Sequence, residues 1–253
     1  MKRAGLMAAM ALAACVSAGC QPSDPYARYD LGNARDIVLA SMDSIGGLDA
    51  WREVDHVDCA AVVRVYDDRG QPYVNRLHQR IDVARAEIIA TATTPQGRWR
   101  ATMDADGEGG VSGAVHPDRW RLIRPALATL AHRVRGPLNL LAGNERADGA
   151  DTMTVGGYEV VRVGVSGDNR NAVAYYFDAH NGTLRFVTSG ADAPGRDGTV
   201  TLYTWGMLSN GMAFPRSITV VKIGQNVLIG PETLIEADFS DVEIHRRRFA
   251  FRG

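Results

Sequence analysis

The chain has 253 residues, 45% of them apolar and 23% charged, and its 28 basic residues nearly balance 29 acidic ones. That is enough apolar mass for one large core or two small ones. A net charge of −1 argues against a domain that holds nucleic acid by electrostatics, and no run reaches the roughly 18 to 20 apolar residues of a bilayer-spanning helix.

The amino terminus places a short basic region, Met1-Lys2-Arg3, before an uncharged apolar stretch from Ala4 to Ala14. This is the layout of a bacterial export signal. It closes on Leu12-Ala13-Ala14-Cys15, and Ser17-Ala18-Gly19-Cys20 follows. Both phrases resemble the lipobox, whose cysteine is acylated and becomes the first residue of the mature chain. The resemblance implies lipidation at Cys15 or Cys20, with a leader of residues 1–14 or 1–19, and an ordinary cleavage near Ala18 is the alternative. Neither cysteine is followed by aspartate (Val16 and Gln21 stand there), so the resemblance also implies an outer-membrane anchor facing the periplasm. Two or three acyl chains hold firmly, because each buried methylene contributes about 0.8 kcal/mol.

Residues 20–33 are polar, with Pro22 and Pro25, and read as a tether to a single domain over 34–253. Asn33 caps a helix carrying Ile37, Val38, Met42 and Ile45 at helical spacing, and Gly46-Gly47 stops it before Leu48-Asp49-Ala50-Trp51. From Val57 the period becomes two. Strands are expected at 57–65, 73–82, 87–94, 98–103 and 111–115, separated by turns such as Asp67–Gly70 and Asp104–Gly110. Leu127, Leu130, Ala131 and Val134 return to helical spacing, with Pro125 near the start and Gly136-Pro137 at the end. Seven further strands follow, at 152–155, 158–166, 172–178, 183–188, 199–205, 216–223 and 232–238, punctuated by Gly156-Gly157, Asn181-Gly182, Asn210-Gly211 and Gly230-Pro231. Short connections make neighbours antiparallel. The expected fold is mainly β, of the α+β class: a curved antiparallel sheet of about eleven strands with a few helices.

The order helix, Gly46–Trp51, meander, central helix and second meander resembles the lipoprotein-sorting fold of the LolA- and LolB-like carriers and receptors. Two phrases carry the likeness further: Tyr176-Phe177-Asp178-Ala179-His180-Asn181-Gly182-Thr183-Leu184 and Asn210-Gly211-Met212-Ala213-Phe214-Pro215-Arg216. The resemblance implies an unclosed half-barrel with helices over its concave apolar face, and a lipid, acyl chain or lipidated protein bound there. On that basis Trp99, Trp120, Leu122, Ile123, Leu127, Leu130 and Val134, with Phe177, Phe186 and Trp205 on the sheet, are the candidate ligand-binding residues. The helix around Leu127–Val134 would be a lid over a hollow that the protein's own side chains leave unfilled.

No catalytic pattern competes with this reading, and no cofactor is implied. The histidines at 56, 78, 116, 132, 180 and 245 are dispersed without metal-ligand spacing, so no metal site is expected. Asp104-Ala105-Asp106-Gly107-Glu108 has the composition of a calcium loop but its glycine is misplaced, and a hairpin turn is expected. His116-Pro117-Asp118 reads as solvated loop, and Arg246-Arg247-Arg248 as a charged tail. Cys59, inside an apolar run, reads as a small buried hydrophobe. The alternative function is a non-catalytic interaction lipoprotein that uses the same fold as a protein-binding scaffold.

Overall fold

The computed structural model describes Tyr26 and residues 33–141, 146–166, 173–190, 198–223 and 229–247. Cys15, Cys20, the tether apart from Tyr26 and Asn33, and Arg248 lie outside the described residues.

Helix α1 (Ala34–Ser44) starts where the Asn33 side chain accepts a hydrogen bond from the Arg35 N–H, at 3.0 Å. It buries Ile37, Val38 and Met42. It ends as the glycine pair requires: the Gly47 N–H donates back to the Met42 carbonyl (2.8 Å), and Gly46 and Gly47 take φ of +111° and +90°. The short helix α2 (Leu48–Arg52) follows, and the Trp51 indole N–H returns to the Ile45 carbonyl at 3.0 Å. That carbonyl also accepts from the Ala213 N–H, at 3.0 Å. The Gly46–Trp51 and Asn210–Arg216 phrases, far apart in the chain, therefore meet in space.

Five strands then form a meander: β1 (Val54–Tyr66), β2 (Pro72–Asp82), β3 (Glu87–Thr94), β4 (Gly97–Asp104) and β5 (Gly109–Gly113). Helices α3 (Pro117–Arg133) and α4 (Leu138–Leu141) lead to the second meander. Its strands are β6 (Arg146–Val155), β7 (Tyr158–Ser166), β8 (Val173–Asp178), β9 (Leu184–Ser189), β10 (Gly198–Met207), β11 (Ala213–Ile223) and β12 (Ile229–Arg246). All twelve make one antiparallel sheet in the order β5-β4-β3-β2-β1-β12-β11-β10-β9-β8-β7-β6. The sheet is open, with β5 and β6 at its edges, so α3 and α4 lie on the path from one edge to the other.

The strands alternate as their sequences require. In β1, Val57, Cys59, Ala61 and Val63 are buried on the inner face, while Asp58 and Arg64 face outward to Arg80 (3.0 Å) and Asp238 (2.6 Å). The inner face is covered in two parts. One cluster joins α3 to β1–β4 and β11–β12; the other joins α1 to β7–β9. The turn at Asp104 is a hairpin, as expected: its carboxylate accepts from the N–H groups of Asp106 (3.0 Å) and Glu108 (2.8 Å).

Several elements exceed their sequence expectation: β6 begins at Arg146 where 152 was expected, and α3 and β12 differ most instructively. α3 begins at Pro117, two turns before Pro125, so His116-Pro117-Asp118 is a helix start and not a loop. His116 Nδ1 accepts from the Asp118 N–H (3.3 Å), and Pro117 occupies the first turn. Pro125 is tolerated inside the helix because it sits on the exposed face, where the carbonyl it leaves without a donor reaches water. β12 continues to Arg246 through a bulge: Asp58 pairs with Glu243 but Ala60 with Ser240, and Asp241 takes φ +50°. Arg246 therefore ends a strand and reaches Glu53 at 3.3 Å.

A Cβ at Gly46 would stand 2.9 Å from the Met212 backbone, whereas one at Gly47 would meet nothing. Gly47→Ala is expected to lose about 1–3 kcal/mol of stability because its backbone (φ +90°, ψ +143°) is one that glycine alone adopts readily, and Gly46→Ala about 3 kcal/mol or more as the 208–212 loop is displaced as well. Urea midpoints at constant m value check the difference.

Candidate functional site

The ten residues expected to line a hollow fall in several places among the described residues. Trp99, Ile123, Leu127, Leu130 and Val134 are buried together between α3 and the inner face of the sheet, with Trp120 packed partly exposed against them. Leu122 is half-buried on α3, outside the described clusters. Phe177 belongs to the cluster under α1, and Trp205 touches both clusters. Trp205 donates its indole N–H to the Leu184 carbonyl (2.7 Å) and stacks on Tyr203 (5.9 Å), whose hydroxyl donates to the Arg133 carbonyl (3.1 Å) and ties the end of α3 to β10.

Phe186 lies on the opposite face of the sheet. It stacks on Tyr176 (4.3 Å) and packs against Val200 and Val221. The cause is a bulge: Phe177 pairs with Leu184 and Tyr176 with Phe186, so Arg185 is the extra residue that inverts the alternation. Leu184 and Val187 therefore face inward.

Seating α3 has a large energetic weight. Ile123, Leu127 and Leu130 are each no more than 1% exposed, and burial of such a side chain contributes about 1.5–3 kcal/mol. Lifting the helix into water would forfeit roughly 5–9 kcal/mol from these three alone. Three inward polar groups at this face or beside it, the Gln79 amide, the Trp99 indole N–H and the Thr201 hydroxyl, are buried with no hydrogen-bond partner among the described residues.

Among the described residues, open volume lies beside the short helices. A cleft of about 650 Å³ runs between α1, α2, α4 and β6, over Ala34, Val38, Leu48, Leu140, Leu141 and Ala147. Leu48, Arg52 and Leu141 also line a second cavity of about 290 Å³, which continues past Trp51, Val54 and Leu138. Both are lined by polar and apolar groups in comparable measure. The charged side chains lining them are all arginines: Arg35, Arg52, Arg135 and Arg247, with no acidic residue among the described lining. Arg52 reaches Asp49 at 3.2 Å on an exposed surface. Sequence reasoning missed this site because its arginines come from four separate segments.

The remaining candidates fall into structural roles, with one exception. Burial, aided by the charge of Asp58, pushes the Cys59 thiol up to about 12, which leaves it an unreactive hydrophobe. Burial of Asp178 would raise its pKa, but the N–H groups of His180 and Asn181 and the Arg185 guanidinium outweigh it and hold the carboxyl below the usual range. This carboxylate organises the β8–β9 turn, and its own carbonyl accepts from the Tyr26 hydroxyl at 3.0 Å. The exception is on the outer face, where the fold brings His56 and His245 into a stack at 4.4 Å beside Asp58. His56 and Asp58 are visible as an alternating pair in one strand, but their partner lies at the far end of the chain.

No family model matches the sequence and no curated protein matches it significantly. Solved structures do. A LolA superfamily protein from Nitrosomonas europaea superposes with a TM-score of 0.52 at 10% identity, covering 83% of this chain and 93% of that one. The two share an open, mostly antiparallel sheet with few helices. A DUF1329 family protein from Desulfovibrio piger (TM-score 0.47, 9% identity, 82% and 93% covered) also matches. So does an outer membrane lipoprotein-sorting protein domain from Vibrio parahaemolyticus (0.46, 9%, 84% and 94%). Among the described residues, no helix is long and apolar enough to cross a membrane.

His132, near the end of α3, couples the covering helix to pH. Burial, and then the charges of Arg133 and Arg135, press its pKa from 6.5 to about 4. The folded state thus favours the neutral ring, and the stability present above pH 6.5 is lost as pH falls toward 4, where the unfolded chain binds the proton first. The loss is expected to reach about 3 kcal/mol, and His132→Gln should flatten it in urea titrations at stepped pH. Asp58 and Asp178, whose pKa values are lowered from 3.8, act below that window.

Proposed function

We propose that this protein is a cell-envelope lipoprotein, anchored through an acylated Cys15 or Cys20, that binds an acyl-bearing lipid or the acyl chains of a lipidated protein. The observation that carries this reading is the cleft between α1, α2 and α4, where Val38, Leu48, Leu140 and Leu141 stand beside Arg35 and Arg52, with no acid among the described lining. Its apolar side chains gain about 25 cal/mol for each Å² removed from water, and the arginines suit a phosphate or carboxylate headgroup. The open antiparallel sheet shared with the LolA superfamily protein supports the reading. In this arrangement the cleft is the first site of contact, and α3 yields only when acyl chains replace the contacts that Ile123, Leu127 and Leu130 make.

A second reading is favoured by the filled space beneath α3: a non-catalytic lipoprotein that presents the same fold to a protein partner. The two separate by direct binding. Titration of the full chain with a fluorescent long-chain fatty acid is expected to saturate. Ala147→Trp, which fills the cleft, should abolish binding, and Arg35→Glu with Arg52→Glu should weaken it about fivefold to tenfold at low salt. Mass spectrometry of an organic extract should find acyl-bearing molecules beyond the anchor. Absence of saturable binding together with an empty extract would favour the scaffold.

A further inference from the structure

We propose that the outer face of the β1–β12 seam is a binding site for a divalent transition metal of the zinc class, with His56, Asp58 and His245 as ligands and Glu243 as a carboxylate within reach. His56 and His245 are direct partners in the antiparallel register, so their side chains leave the same face side by side. Asp58, two residues along β1, shares that face. Its Oδ2 lies 3.4 Å from His56 Nε2 and 3.3 Å from His245 Nε2, and one donor atom from each residue falls within 4.8 Å of the other two. Zinc bonds of about 2.0–2.1 Å in a tetrahedron space the donor atoms about 3.3–3.4 Å apart, which is the spacing these two contacts already have.

The surroundings orient the donors as metal sites do. His56 Nδ1 lies 2.9 Å from Asp55 Oδ2. A ring that donates Nδ1–H to that carboxylate turns the lone pair of Nε2 toward Asp58 and His245, the carboxylate–histidine relay that usually backs a metal-bound imidazole. His245 Nε2 is buried and makes no hydrogen bond among the described residues. Arg80 donates Nε–H to Asp58 Oδ1 (3.0 Å) and Nη2–H to Oδ2 (3.1 Å), fixing the carboxylate plane, and Oδ2 keeps a lone pair for an ion. Glu243, opposite Asp58 in the register, brings Oε2 to 3.8 Å from His245 Nε2 and is exposed enough to swing. The imidazoles stack at 4.4 Å and 14°, so each ring must turn about its Cβ–Cγ bond by tens of degrees to bring the two lone pairs onto one ion. Two imidazoles and one or two carboxylates form a nitrogen and oxygen set that suits zinc, cobalt or nickel, whereas calcium and magnesium take oxygen alone. An ion here would join the first strand of the sheet to the last.

The test uses the full chain purified without an affinity tag. Titration with Co²⁺ is expected to give the visible bands of a four- or five-coordinate ion at one equivalent, displaced by Zn²⁺. Calorimetry with Zn²⁺ should show at least tenfold weaker binding in each of His56→Gln, Asp58→Asn and His245→Gln, with His116→Gln and His180→Gln unchanged. Because Asp58 also holds Arg80, imidazole NMR of the unmodified chain gives an independent readout. The ring resonances of His56 and His245 should shift together on adding Zn²⁺. Binding indifferent to Asp58→Asn and His245→Gln, or ring shifts confined to other histidines, would overturn the site.

Discussion

β1 and β12 pair along most of β1, and side chains cross the seam between them: Arg64 to Asp238 at 2.6 Å and the Tyr66 hydroxyl to Glu236 at 2.8 Å, contacts between residues 174 and 170 positions apart. Closing so long a loop costs entropy that grows only with the logarithm of its length. The pairing removes two long strand edges that would otherwise template aggregation. It also decides everything downstream. Once the two meanders join through their innermost strands, β5 and β6 are left at the outside, and the connection between them has to cross the inner face. The covering helix is a consequence of the seam.

What lies beneath that helix follows from side-chain volume. The inner face of β1–β4 and β11–β12 meets Ile123, Leu127 and Leu130 directly, while the second meander meets α1, and Tyr203, Trp205 and Leu141 pack against both clusters. The covering is therefore stable without a ligand. The open volume sits where covering elements are short: α2 and α4 are single turns, and the gap between them and α1 is left to arginines. Among the described residues the inner face of the sheet is thus packed by side chains of α1 and α3, and the described open volume is a side cleft.

Much of the architecture was legible because period and punctuation are local. Asn33 with Gly46-Gly47 delimits α1, and the hairpin glycines bound most strands to within a residue or two. Misjudged elements depended on signals that only the tertiary fold interprets. Pro125 looked like a helix start because proline is costly inside a helix, yet the true start was marked by His116-Pro117 and the proline rides on the solvent side. β12 outran its expected end at Asp238 because a bulge at Asp241 absorbs an irregularity that reads as a break. Phe186 was misplaced for the same reason: one inserted residue, Arg185, inverts the face. The cleft and the His56–His245 stack were illegible because each gathers residues from segments far apart in the chain, and no spacing in sequence encodes that.

The path of α3 from one sheet margin to the other has a mechanical corollary. A flap hinged at one end swings freely, but a strap fastened at both margins cannot rise unless the margins draw together or its ends pay out. Displacement of α3 therefore draws on the sheet margins at β5 and β6 as well as on the helix itself.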